Sequence, residues 1–357
     1  MLNKKNWALT IALTLIWTQT TVASEMDDSI HWNGFISAVA AISDTETTYL
    51  EDINKNGGVR DYRLGLSMSK QLGEGWSAAA LLIAHEGEEQ IVLHWGLVNY
   101  QVNDNVKIAL GKQKFMNSIV SEYYHVGYAY PWIRPPQEFY SIQSLGPNMS
   151  IDAINGASVS LRTTSNNIEY AIQPFMGISD LPAESGQLKK VMGVKASAGS
   201  EAFTVQAAYF QGMLQIPDSP DRAMLDGEDL KTLTLGSTLN WKNLTGYLEY
   251  GQSSISKFSE FDTDAGYATL GYKIGKFLPY VTYAQFEQDS GLAQKSNYLG
   301  LRREVNSFTS IKIEWQGITP TQRNTPLPSG AQPAGLFGSM PNESAVNMLS
   351  LGVDLTF

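Results

Sequence analysis

The stretch Asn347-Met348-Leu349-Ser350-Leu351-Gly352-Val353-Asp354-Leu355-Thr356-Phe357 decides how this chain is read. Asn347, Leu349, Leu351, Val353, Leu355 and Phe357 fall at every second position, with Met348, Ser350, Gly352, Asp354 and Thr356 between them. Successive side chains of a strand point to opposite faces, so this segment has one oily side and one mostly polar side.

The same code recurs upstream. Tyr62, Leu64, Leu66 and Met68 alternate with Arg63, Gly65, Ser67 and Ser69. Ala157, Val159 and Leu161 alternate with Ser158, Ser160 and Arg162, and Phe203, Val205, Ala207 and Tyr209 with Thr204, Gln206, Ala208 and Phe210. Leu233, Leu235, Leu239 and Trp241 alternate with Thr234, Gly236, Thr238 and Asn240, and Ile311, Ile313 and Trp315 with Ser310, Lys312 and Glu314. Between Ile91 and Val102 both faces are fairly apolar, and the pattern leaves open which one faces lipid.

The connectors sort into two kinds. Tight ones lie at Gly73-Glu74-Gly75, Asn103-Asp104-Asn105, Thr164 to Asn167, Gly199-Ser200, Lys242-Asn243, Gly275-Lys276 and Val305-Asn306, all turn-forming residues at hairpin length. Longer polar stretches lie near 43–59, 85–90, 113–150, 179–189, 214–228, 255–262, 288–297 and 317–343. Seven short turns alternating with eight long loops give about sixteen strands, with both termini on the short-turn side. A single all-β domain follows: a transmembrane antiparallel β-barrel with periplasmic turns and external loops.

Composition agrees. Hydrophobic residues make up 43% of the chain and charged residues 17%, against about 25% charged in soluble domains. After the N-terminal segment no apolar run is long enough for a spanning helix, so apolar content is ample but never concentrated, as an alternating barrel requires. A closed barrel also pairs every backbone donor and acceptor, which a lipid environment demands. The net charge of −10 argues against a nucleic-acid partner. The chain has no cysteine, hence no disulfide framework and no thiolate metal site.

Residues 1–23 read as a signal peptide. Lys4 and Lys5 precede an apolar stretch from Trp7 to Trp17, and Thr21-Val22-Ala23 offers small residues before a cut at Ser24. The stretch is too short to span, so a membrane anchor is the weaker reading. The barrel domain is then 24–357, located in the bacterial outer membrane.

The longest loop, about 113–150, is the best functional candidate. Pro131, Pro135 and Pro136 stiffen it, and Tyr123, Tyr124, Tyr128, Tyr130, Trp132, Phe139 and Tyr140 give it large surfaces with polar tips. Glu122, His125, Arg134 and Glu138 give it charge. By alternation Arg63, Lys107, Arg162, Lys195, Lys273, Arg302 and Lys312 face the lumen, together with Glu169, Glu249 and Glu314. Each could set a field for passing solutes or simply be solvated there. Trp32, Trp76, Tyr100, Trp241, Tyr250, Tyr283 and Trp315 suit the aromatic girdles at the two membrane interfaces. The acidic run Asp218, Asp221, Asp226, Glu228 and Asp229 reads as a solvated loop face, with a cation shared with lipopolysaccharide as the alternative. The four histidines, His31, His85, His94 and His125, lack metal-site spacing, and no nucleophile motif accompanies them. No enzyme and no cofactor is therefore expected.

The signal segment, the sixteen alternating strands, the long third loop and the terminal Phe357 resemble Gram-negative outer-membrane porins over the whole mature chain. More narrowly, Asp104-Asn105, Gly111-Lys112 and the loop Val126-Gly127-Tyr128-Ala129-Tyr130-Pro131-Trp132-Ile133-Arg134-Pro135-Pro136-Gln137-Glu138 look like those of porin-like proteins from aquatic proteobacteria. The acidic-Phe-Gly-Gly segment of the third loop of enterobacterial general porins does not occur here. The resemblance implies a third loop folded inward as a constriction carrying Glu122, His125, Tyr128, Tyr130, Trp132, Arg134 and Glu138. The other reading is a surface loop packed on a neighbouring barrel. It also implies Phe357 as the signal read by the barrel-assembly machinery, a homotrimer, and passive diffusion of small hydrophilic solutes. The alternatives are a substrate-selective channel using the Tyr128–Trp132 aromatics and a closed structural or adhesive barrel.

Overall fold

The computed structural model describes residues 29–50, 52–85, 91–140, 153–181, 186–217, 223–322 and 336–357. Residues 1–23, which the sequence reads as a signal peptide, and Asp218 and Asp221 lie outside these residues. Sixteen strands form one closed antiparallel barrel in which each strand pairs with its sequence neighbours. They are β1 (His31–Ser43), β2 (Gly58–Gly73), β3 (Trp76–His85), β4 (Val92–Asn103), β5 (Val106–Lys114), β6 (Ala153–Ser165), β7 (Ile168–Leu181) and β8 (Gly186–Gly199). There follow β9 (Phe203–Gln215), β10 (Asp229–Trp241), β11 (Leu244–Ile255), β12 (Thr263–Tyr272), β13 (Phe277–Gln288), β14 (Leu292–Asn306), β15 (Thr309–Gln322) and β16 (Val346–Thr356).

Closure is made by β1 on β16, in register from Phe35 opposite Thr356 to Ser43 opposite Met348. Gly34 and Phe357 exchange both backbone hydrogen bonds, at 2.8 and 2.9 Å, so the ladder continues to the last residue. A closed ladder leaves no edge with unpaired backbone groups.

Local chemistry explains the turns. Between β6 and β7, Asn166 and Asn167 take φ of +51° and +61°. Two left-handed residues make the tight turn whose twist matches the flanking strands, and asparagine tolerates that region. Six of the seven tight turns fall where the sequence places them. The seventh is at Ser307-Phe308 rather than Val305-Asn306, because β14 runs two residues further than its polarity suggests.

Three external connectors are shorter than the sequence implies. Strands β7 and β8 are joined by residues 182–185 alone, β13 and β14 by 289–291, and β15 runs on to Gln322. These strands carry polar residues outward near their external ends, as at Gln285, Glu287, Lys295, Asn297 and Thr319. Once both faces are wetted, alternation vanishes although the backbone ladder continues.

The outward face is apolar over the barrel's middle. Leu64, Leu110, Ile172, Leu235, Leu248, Leu270, Val281, Leu299, Ile313 and Leu351 are all exposed large hydrophobics. Such a belt is far larger than a water-soluble protein exposes, and here the bilayer is its solvent. Trp32, Trp76 and Trp241 ring the turn side, while Tyr250 and Tyr283 stand outward toward the loop side. In β3 and β4 the inward set is Leu81, Ile83 and Trp95, a small apolar cluster with Phe35 and Val126. Both faces of these strands are therefore apolar.

Candidate functional site: the connection between β5 and β6

Residues 115–140 leave β5 and make three short helical turns, at Ser121–Tyr123, Gly127–Ala129 and Gln137–Tyr140 (α1). Their side chains meet the inward face of the barrel. Near the start, Thr234 of β10 donates to the carbonyl of Asn117, and the Ile119 amide donates to Glu249 Oε1 of β11 at 2.8 Å. Glu249 also accepts from Tyr140 and, at 2.7 Å, from Tyr267 of β12. This buried carboxylate thus ties both ends of the segment to the wall.

Glu122 pairs with Lys195 of β8 at 2.7 Å. The Lys195 ammonium, with Arg162 and Lys107 beyond it, holds the Glu122 carboxyl below the usual carboxylate range against the opposing effect of burial. His125 stands edge-on to His94 of β4, ring centroids 4.3 Å apart. Both of its ring nitrogens are buried without a hydrogen-bond partner among the described residues. Burial, then the charges of Lys114, His94, Arg63 and His85, pushes its pKa well below the ordinary histidine value.

The segment turns at Gly127, where an added Cβ would land on the Asp354 carboxylate and the Ser37 hydroxyl. Only glycine allows this approach to β16 and β1. Lys312 of β15, 1% exposed, reaches up and donates to the carbonyls of Gly127 (2.6 Å) and Trp132 (2.7 Å) and to Asp354 Oδ2 (3.0 Å). Its three donors have three acceptors, as a buried ammonium requires. Arg302 of β14 donates to the Tyr128 carbonyl at 3.0 Å, and the Tyr128 hydroxyl donates to the Ser307 carbonyl in a turn, also at 3.0 Å.

Trp132 is fully buried and donates its indole N–H between Thr269 and Thr282 of β12 and β13, at 3.1 and 3.0 Å. Tyr130 donates to the Tyr124 carbonyl at 3.0 Å and lies under the Lys312 ammonium. Arg134 pairs with Asp61 of β2 at 2.9 Å, and Asp61 also pairs with Arg63 at 2.9 Å. Asp61 sits at a β-bulge with φ of +59°, which turns its carboxylate toward both guanidinium groups. Glu138, in α1, accepts from Gln294 (2.7 Å), Ser296 and Tyr298 (2.6 Å) of β14.

The lumen-facing cations divide by depth. Arg63, Arg302 and Lys312 are buried under the segment. Lys107, Arg162 and Lys195 lie toward the turn side of β5, β6 and β8, where Arg162 pairs with Glu169 at 3.2 Å with side chains 25% and 51% exposed. That part of the wall is in contact with water. Lys273 lies just beyond β12 and pairs with Glu304 at the rim. Asp61 and Gln294 also bond the segment, His94 stands against His125 and Asp354 holds Lys312; the sequence reading weighed only His94, as one of four scattered histidines. Asp354 carried a signal: a lone carboxylate inside the oily terminal strand has to face inward. In the acidic run, Asp226 accepts from the Ile216 amide at 2.8 Å and Glu228 pairs with Lys257 at 2.7 Å. Among the described residues no three carboxylates or imidazoles are grouped to hold a metal ion.

A closed sixteen-strand barrel with an apolar, aromatic-girdled exterior defines an integral protein of the bacterial outer membrane. No protein-family model and no curated protein matches the sequence. Solved structures match the fold. The anion-selective porin of Comamonas acidovorans superposes with a TM-score of 0.64 at 14% identity, covering 92% of this chain and 99% of that one. OmpF of Salmonella typhi gives 0.61 at 13%, covering 92% and 97%. OmpT of Vibrio cholerae gives 0.59 at 12%, covering 93% and 100%.

Proposed function

We propose that this protein is a porin, a channel for passive diffusion of small hydrophilic solutes across the outer membrane, narrowed by the segment between β5 and β6. The observation that carries the reading is that segment's attachment: its side chains and backbone carbonyls bond inward groups of β2, β8 and β10–β15, while ionic wall residues below it remain wetted. A loop fixed across a wet lumen limits size, and the charges around it set the field that solutes cross. The constriction residues in this reading are Glu122, His125, Tyr128, Tyr130, Trp132, Arg134 and Glu138. The basic wall is Arg63, Lys107, Arg162, Arg302 and Lys312. The likeness to porins of known structure supports the barrel, and the resemblance in sequence adds the signal peptide, Phe357 as the assembly signal, lipopolysaccharide as surroundings and a homotrimer.

The test is single-channel recording of the purified, heat-modifiable barrel in a planar bilayer across a salt gradient, with liposome swelling in sugars of increasing size. Ohmic steps and a sharp size cut-off support the channel. Folded protein that passes neither ions nor sugars contradicts it. A second reading, a closed structural barrel, is favoured by the number of buried polar contacts made by the segment, and the same recordings separate the two.

A further inference from the structure

The described carboxylates that face the lumen fall into two sets. The first is committed inside the wall. Glu138, Glu249 and Glu314 are 0, 1 and 4% exposed. Glu138 accepts from Gln294, Ser296 and Tyr298, Glu249 from the Ile119 amide, Tyr140 and Tyr267, and Glu314 from Tyr280. Asp354 is paired with Lys312, Asp61 with Arg63 and Arg134, and Glu304 at the rim with Lys273. Buried or ion-paired, these groups give a passing cation little with which to replace its water. The second set, Glu122 and Glu169, stands among cations. On β5–β8 Lys107 is opposite Ser160 and Lys195 opposite Gln173, with Arg162 two residues beyond Ser160 toward the turns. Lys195 pairs with Glu122 at 2.7 Å and Arg162 with Glu169 at 3.2 Å, and Arg162 and Lys107 also act on Glu122.

On this wetted wall three cations meet two carboxylates, although the chain as a whole carries a net charge of −10. Selectivity follows the charges that line the path rather than the net charge of the molecule. We propose that the channel prefers anions, and that Lys107, Arg162 and Lys195 select them, drawing small inorganic and carboxylate anions past the segment. The proposal rests on the channel reading. Wall cations replace part of an anion's hydration and raise its local concentration. Salt screens such charges: the Debye length falls from about 10 Å at 0.1 M to about 3 Å at 1 M, so the preference is largest in dilute salt.

The test is the reversal potential of the folded barrel in a planar bilayer across a dilute KCl gradient. The native protein should pass chloride several-fold more readily than potassium. The triple variant Lys107→Gln, Arg162→Gln, Lys195→Gln should lose that preference. Glu122→Gln, which leaves Lys195 without its carboxylate, should strengthen it. Lys231→Gln, the same change of charge on the outward face of β10, should leave it unmoved. Inorganic phosphate should reduce the chloride current of the native barrel and not that of the triple variant. A native barrel that conducts and prefers potassium overturns the proposal and leaves the channel standing, with selectivity set by the acidic outer loops instead. A triple variant that is folded by heat-modifiability and keeps the native preference overturns it equally. No current from the native barrel overturns proposal and channel together. If the triple variant does not fold, the native preference and Glu122→Gln decide, and a preference that Glu122→Gln leaves unchanged refutes the assignment.

Discussion

Lys312→Met removes the ammonium that holds the crossing segment from beneath while keeping most of the side chain's volume. Two carbonyls of the segment, Gly127 and Trp132, lose a charged donor at 2.6 and 2.7 Å. Hydrogen bonds to charged groups contribute about 1.5–3 kcal/mol each, so the gross loss is about 3–6 kcal/mol. The ammonium's own desolvation offsets part of this. The released carbonyls also regain water, which leaves about 2–3 kcal/mol net against the docked position. That is about a 30- to 150-fold rise in the population with the segment released. Asp354 keeps Ser37 and Ser310 as donors, at 2.7 and 3.1 Å, so the closing strands remain paired. The assay is twofold: dwell times of large-conductance events in single-channel records, and the rate of chymotryptic cleavage after Tyr128, which is buried when docked. A folded Lys312→Met barrel with native dwell times and native resistance at Tyr128 would refute the assignment of Lys312 as the segment's anchor.

Other outcomes follow from the same contacts. His125 has its pKa pushed down in the docked segment, while a released His125 titrates near 6.5. The docked form is therefore at full stability above that pH. It loses about 1.4 kcal/mol per pH unit as the pH falls below it. Open probability should rise on acidification from pH 7 to 5, and rise less steeply in His125→Phe. Gly127→Ala drives a methyl group into Asp354 and Ser37 and should release the turn, seen as new chymotryptic cleavage after Tyr128 with the heat-modifiability of the barrel intact. Trp132→Phe leaves the Thr269 and Thr282 hydroxyls bonded to each other at 2.7 Å. It should cost only about 1 kcal/mol of docking, whereas Trp132→Ala also opens a cavity and should cost about 3–5 kcal/mol. The released-state populations of the two variants decide this.

The barrel was legible because two environments force one period. Lipid outside and polar groups inside make Leu349, Leu351 and Val353 alternate with Ser350 and Asp354, and turn residues such as Asn166-Asn167 punctuate the chain. Legibility failed where one environment wraps both faces. Past the bilayer, Gln285, Glu287, Lys295 and Asn297 face water outward, so the ends of β13 and β14 read as loop. Inside the wall the reverse occurs. Phe210 shares a face with Thr204 and Gln206 and gives no sign in sequence that it meets Phe115 rather than solvent. The long connection was legible as a structured element from its prolines and aromatics. Its anchors were not, because Asp61, Lys312 and Asp354 are far apart in the chain and meet only when the barrel closes.

The most direct test of the account compares the native barrel with one in which residues 117–140 are replaced by a short Gly-Ser linker, both verified by heat-modifiability and recorded in the same bilayer. The account predicts small ohmic steps from the native protein and much larger, weakly selective steps from the excised one. Equal conductance in the two would contradict the assignment of this segment as the constriction, and silence in both would contradict the channel.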